Sequence, residues 1–232
     1  MYQPLICNLW LPLQHHLCAL CKSMTNLRMD QITNISDTQN PPFMAPKLGT
    51  VRFIAVDVET AGYESASICQ IGLAFVQFDG SIDTYSTYID PRSPFGDGNT
   101  RLHGIDASTV FGAPDFAQML PQLRQTMETH PLVQHSRFDE KAFDAACKLS
   151  QQPILKSIWF DSVKIARKAW PEFKGNGGHG LGHLKTALGL KFRHHDAGED
   201  ARAAAEVVLK AETVMGAKIN MLGSTRQLKF DF

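Results

Sequence analysis

VRFIAVDVET, residues 51–60, is the stretch on which the fold turns. Val51 to Val56 is short, mostly apolar and rich in β-formers, the composition of a strand buried on both faces. Two acids then interrupt it. Alternate residues of a strand share a face, so Asp57 and Glu59 project side by side. A carboxylate pair closing an apolar strand is electrostatically costly unless a cation neutralises it. Carboxylate oxygens are ligands suited to Mg²⁺ or Mn²⁺. Taken alone, D-x-E is a weak signal that more often marks a strand end facing solvent, and both readings stay open at this point.

Working outward, Ser67 to Phe78 reads as a second strand, and Asp79-Gly80 as a hairpin turn into a third over Ile82–Ile89. Pro91 to Asn99 reads as loop. Helical periodicity follows over Pro114–Glu128 and Phe138–Leu149, with the short apolar run Pro131–Val133 between them. Asp161–Trp170 reads as a helix stopped by Pro171, Leu181–Leu188 as a short helix and Gly198–Val214 as a long one. Three strands in a meander, then alternating helix and strand, predict an α/β domain with a mixed sheet flanked by helices.

Length and composition bound the rest. The 232 residues are 44% hydrophobic and 20% charged, with zero formal net charge. That is ordinary globular composition and gives no overall electrostatic pull toward nucleic acid. Locally, residues 156–195 hold eight lysines and arginines against Asp161 and Glu172. Such a surface fits either an anionic strand or a solvated helix face. No run of eighteen apolar residues occurs, so no membrane partner is expected. Five scattered cysteines do not make a disulfide framework, which favours a reducing, cytoplasmic setting. Residues 1–48 read as a poorly ordered N-terminal extension, 49–215 as the folded domain and 216–232 as a tail. Met44 is a candidate internal start. His15, His16, Cys18 and Cys21 have half the spacing of a zinc knuckle without a second half-site.

Two further stretches carry acids at helix starts. In His135-Ser136-Arg137-Phe138-Asp139, Ser136 is placed to cap the helix, leaving Asp139 in its first turn. In RHHDAGEDARAAAEVV, residues 193–208, Asp196 and Glu199 have capping-box spacing. Capping does not explain Asp200, one turn in, or His195 just before the cap. Gly175-Asn-Gly177-Gly-His-Gly180 matches G-x-G-x-x-G formally, but no strand precedes it, so it reads as a flexible loop before Leu181. His179 and Lys174 of that loop are candidates to line a groove.

Asp57 and Glu59, then Asp139, then His195 and Asp200 form an ordered set that resembles the DEDDh family of 3′→5′ exonucleases, in particular the proofreading epsilon subunit of bacterial DNA polymerase III and its free-standing relatives. The likeness runs from about Val51 to Lys210 and includes Arg101-Leu-His-Gly-Ile105 and Gly180-Leu-Gly-His-Leu184. Thr60-Ala61-Gly62 stands where the family often has Thr-Thr-Gly, and His135-Ser136 where it commonly has His-Asn. The resemblance implies a ribonuclease-H-like exonuclease fold with a five-stranded mixed sheet flanked by helices. It implies a two-metal mechanism on two divalent cations, Mg²⁺ or Mn²⁺, held by Asp57, Glu59, Asp200 and Asp139. His195 has the family spacing for the general base, whereas His194 falls one residue early and points elsewhere if the pair is extended. Thr60, Ala61, His103, Ile105 and Phe138 would meet the terminal nucleotide. The implied substrate is a nucleic acid with a free 3′ end, DNA (single-stranded or frayed) before RNA, cleaved to nucleoside 5′-monophosphates, with a polymerase as a further partner. Two alternatives are an RNA-trimming exoribonuclease of the same family and a catalytically silent module that binds strand ends or a polymerase.

Overall fold

The structure, a computed structural model, describes residues 43–44 and 49–221. The expectations for the 1–42 segment and its Cys18–Cys21 pair, and for the tail beyond Met221, lie outside those residues. The sequence order is β1 (Val51–Thr60), β2 (Ile68–Gln77), β3 (Ile82–Tyr88), α1 (Asp97–His103), α2 (Phe116–Glu128), β4 (Leu132–Gln134), α3 (Phe138–Leu149), β5 (Trp159–Asp161), α4 (Ser162–Ala169), α5 (Leu181–Ala187) and α6 (Ala197–Met215). The strands form one five-stranded mixed sheet in the order β3-β2-β1-β4-β5. β1 runs antiparallel to β2 and parallel to β4, and β5 is parallel to β4. The expected architecture, an α/β fold of the ribonuclease-H-like exonuclease type, is the one observed.

β1 sits at the centre of the sheet, which is why its first six residues are so apolar. Phe53 and Ala55 pack with α4, α5 and α6, while Ile54, Val56 and Val58 pack with α2 and α3. Alternation therefore points Asp57 and Glu59 to the α6 side. The alanines of α6 (Ala201, Ala203, Ala204, Ala205, Ala211) are buried and let that helix lie close on the sheet. The approach is tightest at Gly72, the ladder partner of Asp57 on β2. A Cβ there would lie 2.0 Å from the Ala197 carbonyl oxygen and 2.4 Å from the Gly198 nitrogen. Gln70 Oε1 accepts the Ala197 N–H at 3.1 Å. The first turn of α6 is thus pressed onto β2 beside the strand that carries the two acids.

Several expectations change in detail. The loop read over 91–99 runs into α1, a seven-residue helix with no buried side chain. The Asp161–Trp170 helix begins at Ser162, because Asp161 is its cap and accepts the Val163 N–H at 2.9 Å. Ser136 is not the N-cap of α3: Arg137 takes that position, while Ser136 Oγ accepts the N–H of Phe138, the first helical residue, at 3.4 Å and Gln134 Oε1 accepts the Glu140 N–H at 2.9 Å. Packing also reaches past residues 49–215. The Phe43 ring lies 5.1 Å edge-on from Tyr85, and Ile219 and Met221 are buried against the α6 side. A chain starting at Met44 would lack the Phe43 contact.

Candidate active site

The two acids of β1, the start of α3 and the start of α6 meet at the C-terminal end of β1. Carboxylate oxygens of Asp57, Glu59 and Asp200 lie within 4.8 Å of one another. Asp139, only 3% exposed, joins them from α3 and accepts the Val58 N–H at 3.0 Å through Oδ1. Asp200, also 3% exposed, occupies the fourth position of α6 behind its cap Asp196. Asp196 accepts the Glu199 N–H, but the Glu199 carboxylate turns to Arg202 at 2.7 Å instead of closing the capping box.

Four carboxyl groups so placed resist ionisation. Burial, then the charges of Asp139, Asp200 and Glu59, hold Asp57 well above the usual carboxylate range. Burial with Asp200 and Asp139 pushes Glu59 to about 8. Asp139 is raised by burial to about 7 even though the Val58 N–H pulls the other way. Asp200 is raised by burial against the opposing donors of His195 and His194. Among the described residues, no lysine or arginine pairs with any of the four. Protons or a divalent cation are what remain to balance them, and an all-oxygen donor set fits Mg²⁺ or Mn²⁺.

His195 stands beside this cluster. Its φ of 68° is left-handed, so His194 and His195 are not an extended pair. The two rings stack, with centroids 4.0 Å apart and planes 11° off parallel. His194 therefore does not point elsewhere: its Nδ1 lies 2.8 Å and 3.1 Å from the two Asp200 oxygens. Burial and the neighbouring His194 hold the His195 ring below its ordinary 6.5.

The positions expected to contact the terminal nucleotide surround the end of β1. His103 Nδ1 accepts the Ile105 N–H at 3.0 Å, so Nε2 carries the proton and donates to the Thr60 carbonyl at 3.2 Å. Asn99 Nδ2 donates to the same carbonyl at 2.8 Å, a role its sequence did not announce. Ala61 and Ile105 pack with Cys69 and Val110 in a small buried cluster, which leaves their side chains little surface to offer. Phe138, the first residue of α3, is 44% exposed next to Asp139 and is not a core residue. His179 faces inward, its Nε2 2.8 Å from the Trp170 carbonyl, and so does not line a groove. His135 Nε2 reaches the His179 carbonyl at 3.0 Å, tying the glycine loop to the end of β4. Burial pushes that His135 ring down to about 4.

A mixed five-stranded sheet whose central strand and two helix starts deliver four acids and a histidine to one point defines a class of nucleases. Within it, the sequence profile of the RNase T exonuclease family matches residues 54–208, and the chain belongs to the DEDDh 3′→5′ exonucleases, hydrolases that use divalent metals. The PolC-type DNA polymerase III of Streptococcus thermophilus is 28% identical over 182 residues, covering 77% of this chain and 12% of the polymerase. That of Caldanaerobacter subterraneus is 28% identical over 162 residues, 68% of this chain and 11% of the polymerase. The chain thus spans about an eighth or less of the length of these relatives. Exonuclease X in complex with 5′ overhanging duplex DNA superposes with a TM-score of 0.57 at 21% identity, over 76% of this chain and 96% of that one. The nuclease domain of 3′hExo bound to rAMP gives 0.58 at 18% identity, over 81% and 99%. These two structures share the fold.

Proposed function

We propose that this chain removes nucleotides from the 3′ ends of DNA, single-stranded or frayed, and releases nucleoside 5′-monophosphates. The observation that carries this reading is the convergence of Asp57, Glu59, Asp139 and Asp200, without a lysine or arginine partner among the described residues, beside His195. Asp57, Glu59 and Asp200 would hold two divalent cations, with Asp139 binding directly or through water. When bound, such ions lower the pKa of the attacking water and offset the charge developing on the leaving 3′ oxygen.

The chain's own groups do the rest. His195, whose depressed basicity leaves it neutral at physiological pH, takes the proton of the attacking water at a ring nitrogen. A P–O bond to that water forms as the P–O3′ bond breaks, and the 3′ oxygen leaves with a proton from solvent. Thr60, held by Asn99 and His103, and the exposed Phe138 ring flank the terminal nucleotide, with backbone at Ala61 and Ile105 completing the wall. Stacking on an aromatic ring is tolerant of base identity, as stepwise removal requires.

DNA is favoured over RNA because the relatives aligned over most of this chain are DNA polymerases, which also makes a polymerase a reasonable partner. Strands labelled at the 5′ or 3′ end, incubated with Mg²⁺, Mn²⁺ or a chelator, test polarity, product and metal need together. Matched DNA and RNA oligomers test the substrate. Faster degradation of RNA at equal concentration would overturn the DNA preference.

A further inference from the structure

The general base and one of the four acids are both held by a residue that the five-residue motif leaves out. Consecutive side chains in an extended chain point to opposite sides. The left-handed backbone of His195 reverses that, and places the His194 ring flat against the His195 ring. Among the described residues nothing hydrogen-bonds the His195 imidazole, so this face-to-face contact is what fixes its plane. At the same time His194 Nδ1 lies within hydrogen-bond distance of both Asp200 oxygens, at 2.8 Å and 3.1 Å. An ionised Asp200, the form that holds a cation, only accepts, so in that form Nδ1 carries the hydrogen. The His195 backbone N–H adds a bond to Oδ2 at 2.9 Å. Two adjacent residues thus clamp the Asp200 carboxylate, one oxygen of which lies within 4.8 Å of oxygens of Asp57 and Glu59. The His194 ring is itself wedged. Phe192 meets it edge-on at 5.7 Å, and Nε2 lies against Gly182 of α5, 3.7 Å from where a Cβ would stand.

We propose that His194 is a positioning residue: its Nδ1–H aims the Asp200 carboxylate at Asp57 and Glu59, and its ring face holds His195 in plane. This rests on the cation and general-base roles proposed above. Hydrogen bonds to a ligating carboxylate fix its orientation, and their loss commonly weakens metal binding by about 10- to 100-fold. A stacked ring that sets a base's plane acts on the chemical step instead. The two tasks of His194 are therefore separable by substitution.

His194→Asn keeps an N–H donor near the position of Nδ1 and removes the ring. His194→Phe keeps the ring and removes the donor. Calorimetric titration of the full-length chain with Mn²⁺ alone reads the first task, and single-turnover hydrolysis at saturating Mn²⁺ reads the second. His194→Phe is expected to weaken Mn²⁺ binding about 10-fold or more while its saturated rate stays within about threefold of wild type. His194→Asn is expected to show the reverse, near-wild-type Mn²⁺ affinity and a rate reduced about 10-fold or more. Two variants that match the wild type in both readouts, or that fail alike in both as a generally loosened fold would, overturn the role of His194 alone. A wild-type chain that takes up no Mn²⁺ overturns the cation reading itself, and the role of His194 with it.

Discussion

Gly72→Ala tests how the site is assembled without touching an acid or a histidine. A Cβ at residue 72 would stand 2.0 Å from the Ala197 carbonyl oxygen and 2.1 Å from its carbon. Both are backbone atoms, so no side-chain rotation relieves the overlap. Carbon and carbonyl oxygen come no closer than roughly 3.3 Å, so the start of α6 must retreat by roughly 1.3 Å. That start carries His195 and Asp200, and a misplacement of about 1 Å at a reacting centre costs on the order of 10²-fold in rate. Overpacking of this kind costs about 1–3 kcal/mol. At about 2–4 °C per kcal/mol for a chain of this size, Tm should fall by roughly 2–12 °C. The assay is kcat/KM on an end-labelled single strand, with thermal unfolding in parallel. A wild-type rate in Gly72→Ala, whether or not Tm moves, would refute the claim that the seat of α6 on β2 sets the site.

Arg52→Ala perturbs the opposite end of β1, where the guanidinium donates at 2.6 Å to Glu212, which is 8% exposed and also accepts the Ile219 N–H. Leaving that carboxylate buried with half its partners should cost about 3–5 kcal/mol, a Tm drop of roughly 6–20 °C, with the rate at 25 °C within about twofold of wild type. Metal-free protein should lose stability as pH rises from about 5 to about 8: Glu59 titrates near 8 in the fold against an ordinary 4.5, so the folded state binds more protons than the unfolded across that window. Melting curves in chelator should show that decline, and Mn²⁺ should remove it. His195→Gln should lower the saturated rate by about 10²–10⁴-fold, and the acidic limb of the wild-type pH–rate profile should lie below the ordinary histidine value.

How much of this was legible in the sequence varies with how local its cause is. Strand β1 and helices α3 and α6 could be read because burial on known faces leaves a periodicity, and Phe138–Leu149 has the bounds that periodicity gives. The convergence of Asp57, Glu59, Asp139 and Asp200 was legible only through the family resemblance that their order carries, because each motif alone reads equally as a capped helix or a strand end. Helix α1 could not be read, since it buries nothing of its own and is held by Asn99 and His103 reaching back to Thr60. The three residues of β5 lie in the run Ile158–Asp161, too short to show a period, and pair only because β4 is beside them. The place of His194 hangs on a single left-handed φ at a non-glycine residue, and neither neighbour in the chain signals it. Gly72 looks like any small residue of a strand until the carbonyl of Ala197 is seen against it.

The central claim is that the carboxylate cluster on β1, α3 and α6 is the machinery of hydrolysis. Asp57 is the member on which the charges of Asp139, Asp200 and Glu59 all act, and Asp57→Ala removes its carboxyl group while leaving the backbone of β1 paired. Single-turnover hydrolysis of a 5′-labelled strand at saturating Mg²⁺ should fall by about 10³-fold or more in that variant. Binding of the same strand, measured in parallel, should persist. Hydrolysis at the wild-type rate by Asp57→Ala would contradict the account.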